Sequence, residues 1–259
     1  MFIDEVKRAI ESIAPVETQM EWDNSGVQIC YGPREIKKIL VAMEINSQVV
    51  DEALSLNADM ILTHHPLFFN GVKSIHGCSS QGRQIIRLIK NDITVYSCHT
   101  PFDKAAGGNN DFILEGLGCK DLVGIDGEEP SIAKMGSLDK PTYLKTVIKK
   151  LSALLGNPGG IKYIGQPNDI IQKIAVCTGA GSEFYRAALE NGAQLFITGD
   201  VSHHEACEIR DSGIDLIDAG HAGTEWVFAK NMASKLRRLL GEEAEVIESQ
   251  SKQDPFDYK

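Results

Sequence analysis

Six histidines stand where apolar stretches end. They are His64 and His65 in ILTHHPLFF, His99 in VYSCHTPFD, His203 and His204 in ITGDVSHHEA, and His221 in IDAGHAGTE. Asp103, Asp200 and Glu225 lie in the same stretches. Imidazole nitrogens and carboxylate oxygens together form a donor set for divalent metal ions. The donors are too many for a single tetrahedral ion. Five or more suit two ions a few ångströms apart, bridged by a carboxylate and a water. Glu225 is the best candidate for the bridge, because a carboxylate has two oxygens to share. His221 lies four residues before it, so on a helical turn the two face the same way. A neutral imidazole, from His99, His203 or His204, could carry the catalytic proton. The seventh histidine, His76 in the polar SIHGCSSQG, reads as a surface residue. The structural alternative is that these imidazoles satisfy hydrogen bonds in a polar core.

The elements that must position these residues recur along the chain. Residues 36–65, IKKILVAMEINSQVVDEALSLNADMILTHH, align without a gap with residues 171–200, IQKIAVCTGAGSEFYRAALENGAQLFITGD. Each copy reads as strand, helix capped by Ser47 or Ser182, and strand, a βαβ unit with parallel strands. The repeat continues: ITVYSCHTPFD (93–103) matches IDLIDAGHAGTE (214–225) after one inserted residue, pairing His99 with His221 and Asp103 with Glu225. The expected architecture is α/β: two similar α/β lobes, 1–125 and 126–259, related by a pseudo-two-fold axis. Both lobes would gather their histidines outside the carboxyl ends of the strands, where open α/β sheets bind ligands.

Adjacent side chains on a strand face opposite ways. His64 and His65 therefore share a crevice only if the strand ends at Thr63. Pro66 favours that exit, because the residue before proline avoids the helical region. Off the strand, one histidine could reach each of two ions.

Other segments are less specific. A helix is expected over the first residues, ending at Pro15, followed by a loop through EWDNSG into a short strand. Asp23 and Asn24 there read as turn residues. SIAKMGSL (131–138) reads as a strand, 141–156 as a helix opened by Pro141, 160–165 as a strand, and 224–240 as a helix. AAGGNND (105–111) and GAGS (179–182) could offer backbone amides to a phosphate, with Asn109 or Asn110 as a helix cap, or could be plain loops.

Bulk properties narrow the function. The chain has 259 residues and a net charge of -10, which argues against sequence-independent nucleic-acid binding. Six cysteines without a CxxC pair read as buried, reduced thiols. With no signal pattern or long apolar span, the expected location is cytoplasmic.

The ordered motifs WDNSGVQI (22–29), LTHHPLFF (62–69), HTPFDKAAGGNND (99–111), VCTGAGS (176–182), ITGDVSHHEA (197–206) and GHAGTEW (220–226) resemble the Ngg-interacting-factor-three-like family, also called the YbgI type. Its members are commonly named GTP cyclohydrolase I type 2 homologues. The resemblance spans nearly the whole chain and matches the short form, without the domain that long members insert. It implies a dinuclear metal site in the crevice between two lobes. The ligands would be His64, His65, Asp103, His221 and bridging Glu225, with His99, His203 and His204 lining the cavity. It also implies a homohexamer. Ala222 stands where the family pattern leads one to expect a larger residue, which would widen the pocket.

The leading functional expectation is a metal-dependent hydrolase acting on a small molecule, either a purine nucleotide in the manner of a GTP cyclohydrolase or a phosphoester. Two divalent ions, zinc, iron or manganese, would activate the water. The same ligand set serves a second reading, a metal-binding regulatory or metal-handling protein without turnover.

Overall fold

The structure is a computed structural model that describes residues 1–156 and 160–257. The chain begins with α1 (Ile3–Ile13), β1 (Gly26–Ile29), β2 (Lys38–Ala42), α2 (Ser47–Leu56), β3 (Met60–Thr63), α3 (Ser80–Lys90), β4 (Thr94–Ser97) and α4 (Thr100–Lys104). It continues through α5 (Asn109–Leu117), β5 (Cys119–Gly124), β6 (Lys134–Tyr143), α6 (Leu144–Leu155), β7 (Lys162–Ile164), β8 (Ile170–Val176), α7 (Tyr185–Glu190), β9 (Leu195–Thr198), α8 (His203–Ser212), β10 (Asp215–Asp218) and α9 (His221–Glu225). It closes with α10 (Val227–Leu240) and β11 (Glu245–Glu248).

Two compact units result. One comprises Met1–Ala105 with Phe228–Pro255, the other Ala106–Val227 with Phe256 and Asp257. This division differs from the expected boundary between residues 125 and 126. The chain leaves the first unit soon after α4 and returns to it within α10. The physical reason is strand pairing: β11 lies parallel to β2, with Val246 opposite Ile39, and so completes the first sheet.

The first unit has a five-stranded sheet in the order β1-β4-β3-β2-β11. β2, β3 and β4 are parallel, while β1 adds antiparallel to β4. Side chains alternate between the faces, as the strand period of two requires. Ile39, Val41, Met60, Leu62 and Tyr96 pack with Val6 and Ile10 of α1 and with Phe228, Met232 and Leu236 of α10. Leu40, Ala42, Ile61 and Val95 pack on the other face with Val49 and Ala53 of α2 and Ile85 and Leu88 of α3. Both faces are covered, which is why these strands are apolar throughout rather than alternating. After β11 the tail is held by Glu52 of α2, whose carboxylate accepts from the hydroxyls of Ser249 and Ser251 and from the amide of Gln250.

The second unit has a six-stranded sheet in the order β5-β6-β8-β9-β10-β7. β8, β9 and β10 are parallel and β7 adds antiparallel to β10, the pattern of β2, β3, β4 and β1. The repeat is therefore visible in each unit's own topology: the βαβ copies at 36–65 and 171–200 both fold as parallel strands joined by a helical crossover. β6 and β5 extend the second sheet on its other side.

Local readings fared unevenly. The cap of α2 is Asn46 rather than Ser47, its Oδ1 accepting from the Val49 amide at 2.9 Å. Ser182 does not cap its helix, because its hydroxyl is given to Glu205 at 2.5 Å. Pro141 lies within β6, and the helix expected there begins only at Leu144. The 224–240 helix divides into α9 and α10, and its apolar residues Trp226 and Leu239 are exposed. Cys98, Cys119 and Cys177 are buried as expected, but Cys30 and Cys78 are exposed. No helix among the described residues is long and apolar enough to cross a membrane.

At the start of β10, the Asp215 carboxyl is pushed up to about 6 by burial and by the nearby charge of Asp169. The folded state then holds this proton more tightly than the unfolded chain. Stability contributed by the protonated form is lost as pH rises from about 4 to about 6. Asp215→Asn is therefore expected to be more stable than the parent at pH 7.5, by about 1 kcal/mol after allowing for solvent screening. Urea midpoints at pH 4.5 and 7.5 measure this. Parallel pH dependence in both proteins would refute it.

Candidate metal centre

In the first unit, β3 and β4 are parallel and in register, with Thr63 opposite Ser97. The residues that follow them therefore leave the sheet side by side at its carboxyl end. That brings His64, His65 and His99 together: one ligand nitrogen from each lies within 4.8 Å of the others. β3 does end at Thr63, as expected. The amides of His64 and His65 both donate to the Met43 carbonyl, at 3.0 and 2.9 Å. The Thr63 hydroxyl closes the turn onto the His65 carbonyl at 2.8 Å. The His64 and His65 rings are tilted against each other, with centroids 5.2 Å apart and planes 36° apart.

His64 is fully buried against Phe228, with ring centroids 4.9 Å apart. Its Nδ1 meets the Cys98 carbonyl at 3.1 Å, and its Nε2 faces Asp103 Oδ2 at 3.5 Å. Asp103 is brought there by α4, which follows β4 directly. His65 is half-buried, its Nδ1 3.8 Å from Glu44.

His99 is held by a residue that sequence reasoning missed. The Asp23 carboxylate, fully buried, accepts from His99 Nδ1 at 2.9 Å, the Ser25 hydroxyl at 2.9 Å, and the Thr100 amide and hydroxyl at 3.1 and 2.5 Å. Burial by itself would raise the Asp23 pKa. The hydrogen bond and charge of His99, with the hydrogen bonds of Thr100 and Ser25, outweigh it and hold the carboxyl far below the usual carboxylate range. EWDNSG read as a turn, and with 76 residues between Asp23 and His99 no spacing rule could have joined them.

In the second unit the same register logic applies, since Thr198 lies opposite Asp218. Asp200, just past β9, accepts from His221 Nδ1 at 2.9 Å. His221 Nε2 then lies 3.0 Å from Glu225 Oε2, the two facing the same way at the expected four-residue spacing on α9. Glu225 is buried. Two glycines make room for this pair. Gly179 has φ +69°, and a Cβ there would press into Glu225 Oε1 and sit 3.5 Å from His221 Cε1. A Cβ on Gly199 would sit 2.6 Å from the His221 amide nitrogen.

The phosphate readings of the two glycine loops are not supported. The amides of Thr178, Gly179 and Gly181 are used internally: Thr178 to Asn110 Oδ1 at 2.9 Å, Gly179 to Thr224 Oγ1 and Gly181 to Thr198 Oγ1, both at 3.0 Å. Gly107 gives its amide to Asp111, which also binds Lys134 Nζ at 2.8 Å. Neither Asn109 nor Asn110 caps α5, whose N-cap is Gly108. His203 and His204 are not at a strand end. They begin α8, are exposed, and stack at a centroid distance of 5.6 Å, with His203 Nε2 3.8 Å from Cys207. His76 is exposed, as expected.

The donor chemistry fits a divalent ion. A carbonyl or carboxylate can only accept, so in the neutral ring Nδ1 of His64, His99 and His221 carries the proton and Nε2 keeps its lone pair. In His64 and His221 that Nε2 faces a carboxylate oxygen at 3.5 and 3.0 Å. Two acceptors at such distances repel unless a cation or a second proton lies between them. A carboxylate behind the ring, as Asp23 and Asp200 provide, is a recurrent support for metal-binding histidines.

Fold and site together define an α/β protein of two topologically similar units, each carrying histidines and carboxylates suited to metal ions. A family model described as Duf34/NIF3 (NGG1p interacting factor 3) matches residues 1–255, and the chain belongs to that family. It is 35% identical to a GTP cyclohydrolase 1 type 2 homolog of Clostridium perfringens, over 100% of both chains. It is 29% identical to the NIF3-like protein 1 of Drosophila melanogaster, over 97% of this chain and 87% of the other. Among solved structures, a Bacillus cereus protein related to NIF3 shares the fold with a TM-score of 0.92, at 22% identity over 100% of this chain and 99% of that one.

Proposed function

We propose that the chain is a metal-dependent hydrolase in which His64, His65 and Asp103 of the first unit and His221 and Glu225 of the second serve one dinuclear centre. The observation that carries this reading is the pairing of an imidazole Nε2 with a carboxylate oxygen in each unit, at 3.5 Å and 3.0 Å. The pseudo-two-fold relation of the units and a homohexameric assembly belong to the same proposal, and sedimentation equilibrium tests the latter.

When bound, divalent ions would polarise a substrate oxygen and make a water acidic enough to attack near neutral pH. The chain's own residues do the rest. Asp23 and Asp200 fix the tautomers of His99 and His221. His99 keeps an Nε2 lone pair able to take a proton from an attacking water and return it to a leaving group. The names of the relatives favour a purine nucleotide as substrate, with a phosphoester as the other candidate. Glu225→Gln, which keeps shape and removes charge, is expected to lower turnover of GTP or a phosphodiester by at least about 100-fold while the fold is retained. Turnover within a few-fold of the parent would refute the role given to Glu225.

The family description itself names a protein interaction, which favours a second reading, a metal-handling or regulatory protein. Readily exchanged ions and no turnover with zinc, iron or manganese would select it. Less than one ion per chain after purification without chelator, and no uptake on titration, would remove both readings.

A further inference from the structure

We propose that Trp22 and Phe69 form a stacking platform for a planar heteroaromatic ring of the substrate, set against His99. The proposal rests on the histidine site being the reacting centre and names what that site holds. Both rings belong to the first unit and are about half exposed, Trp22 at 53% and Phe69 at 52%. Their centroids are 5.9 Å apart and their planes 41° apart, so they form an open wedge rather than a closed stack. Each also meets the His99 ring nearly edge-on, at 5.7 and 6.3 Å. His99 in turn lies 5.6 Å from the His65 ring and 5.1 Å from that of His64. A ring lying on the wedge would therefore touch the same aromatic cluster that carries the candidate metal ligands.

The wedge is held in place. Asp23, next to Trp22, is fastened to His99 and Thr100. The Asn24 side-chain Nδ2 donates to the Phe68 carbonyl at 2.5 Å, and the Phe68 backbone amide donates to Gln28 Oε1 at 3.1 Å. The Met20 amide is tied to the Thr100 hydroxyl at 3.0 Å. The chain beside both rings is thus held by hydrogen bonds while about half of each residue's surface is left to water. Such pre-ordering favours a ligand, because little further motion must be lost on binding. The same loop continues into an open depression of about 520 Å³ lined by Phe68, Val72, Lys73, Ser74 and Ile75, with room for substituents. The side chains of Trp22 and Phe69 present π-faces, so recognition would follow stacking area, with a purine held better than a pyrimidine.

The test uses full-length, chelator-stripped protein carrying Trp226→Phe, so that emission reports Trp22 alone. Titration with guanosine is expected to give saturable quenching, with cytidine weaker and ribose inactive. Phe69→Leu, similar in bulk without a π-face, is expected to weaken guanosine by roughly 5–100-fold, and Phe69→Tyr to retain it. Absence of saturable quenching, or equal affinity in the Leu variant, overturns the platform. So does a change in assembly mass in the Leu variant without a change in guanosine affinity, which would make the patch an interface between copies. Because no metal is present, ring binding without turnover in the loaded protein would remove the hydrolase reading alone. Turnover of a non-aromatic phosphoester without ring binding would remove the platform alone.

Discussion

Gly179→Ala is expected to weaken metal binding at His221 and Glu225. Two costs combine there. The backbone holds φ +69°, which an L side chain adopts at a cost of about 1 kcal/mol. The new methyl would also occupy the place of Glu225 Oε1, so that carboxylate must rotate away from His221. Displacing a ligand's support typically costs 10–100-fold in metal affinity, and a displaced ligand costs at least that. The expected result is a metal-free melting temperature only a few degrees below the parent, with zinc or manganese affinity reduced about 100-fold or more. Gly213→Ala separates the two costs. Gly213 has φ +85° with nothing within 4 Å of a built Cβ, so it carries strain without intrusion. Isothermal titration of both variants measures the difference. Equal metal affinity in Gly179→Ala and the parent would show that Glu225 is not a ligand, or that its place is not set by this glycine.

His64→Ala and His65→Ala are expected to weaken different ions. The adjacent rings are tilted by 36°, and His64 Nε2 faces Asp103 while His65 Nδ1 lies toward Glu44. Removing the buried His64 ring leaves a void beside Phe228 and an Asp103 carboxylate, 5% exposed, without its facing imidazole. A stability loss of about 2–4 kcal/mol follows from the cavity left by a fully buried ring. His65 is half-buried, so its removal should cost less than about 1 kcal/mol. Elemental analysis of each purified variant is expected to show about one ion remaining from a parent holding two. Titration with excess metal should restore the second ion only weakly. Equal loss of both ions from either change would end the assignment of one histidine to each ion.

Much of this was legible along the chain because the signals are local. The βαβ copies at 36–65 and 171–200 show themselves through strand and helix periodicity, and their strands β3 and β9 end at equivalent positions, Thr63 and Thr198. The candidate ligand types were also readable, since His64, His65, His99, Asp103, His221 and Glu225 all fall within seven residues after a strand. The places where local reading failed involve partners distant in sequence. Nothing near Asp23 points to His99, and GAGS looks like a phosphate loop until the Gly179 and Gly181 amides are found bonded to Thr224 and Thr198. His203 and His204 misled for a local reason: the Ser202–Glu205 capping box starts α8 at His203, and the exposed first turn carries both rings away from a strand end.

By itself, the sequence determined two parallel α/β units and a stock of imidazoles and carboxylates at their strand ends. Hydrophobic periodicity and proline and glycine chemistry act over a few residues and need no distant partner. Tertiary structure alone decided that α10 and β11 complete the first unit. It also decided that Asp23 and Asp200 set the tautomers of His99 and His221, and that Gly179 makes room for Glu225. Each of these depends on hydrogen-bond direction or close packing between atoms tens to hundreds of residues apart, and those exist only once the chain has folded.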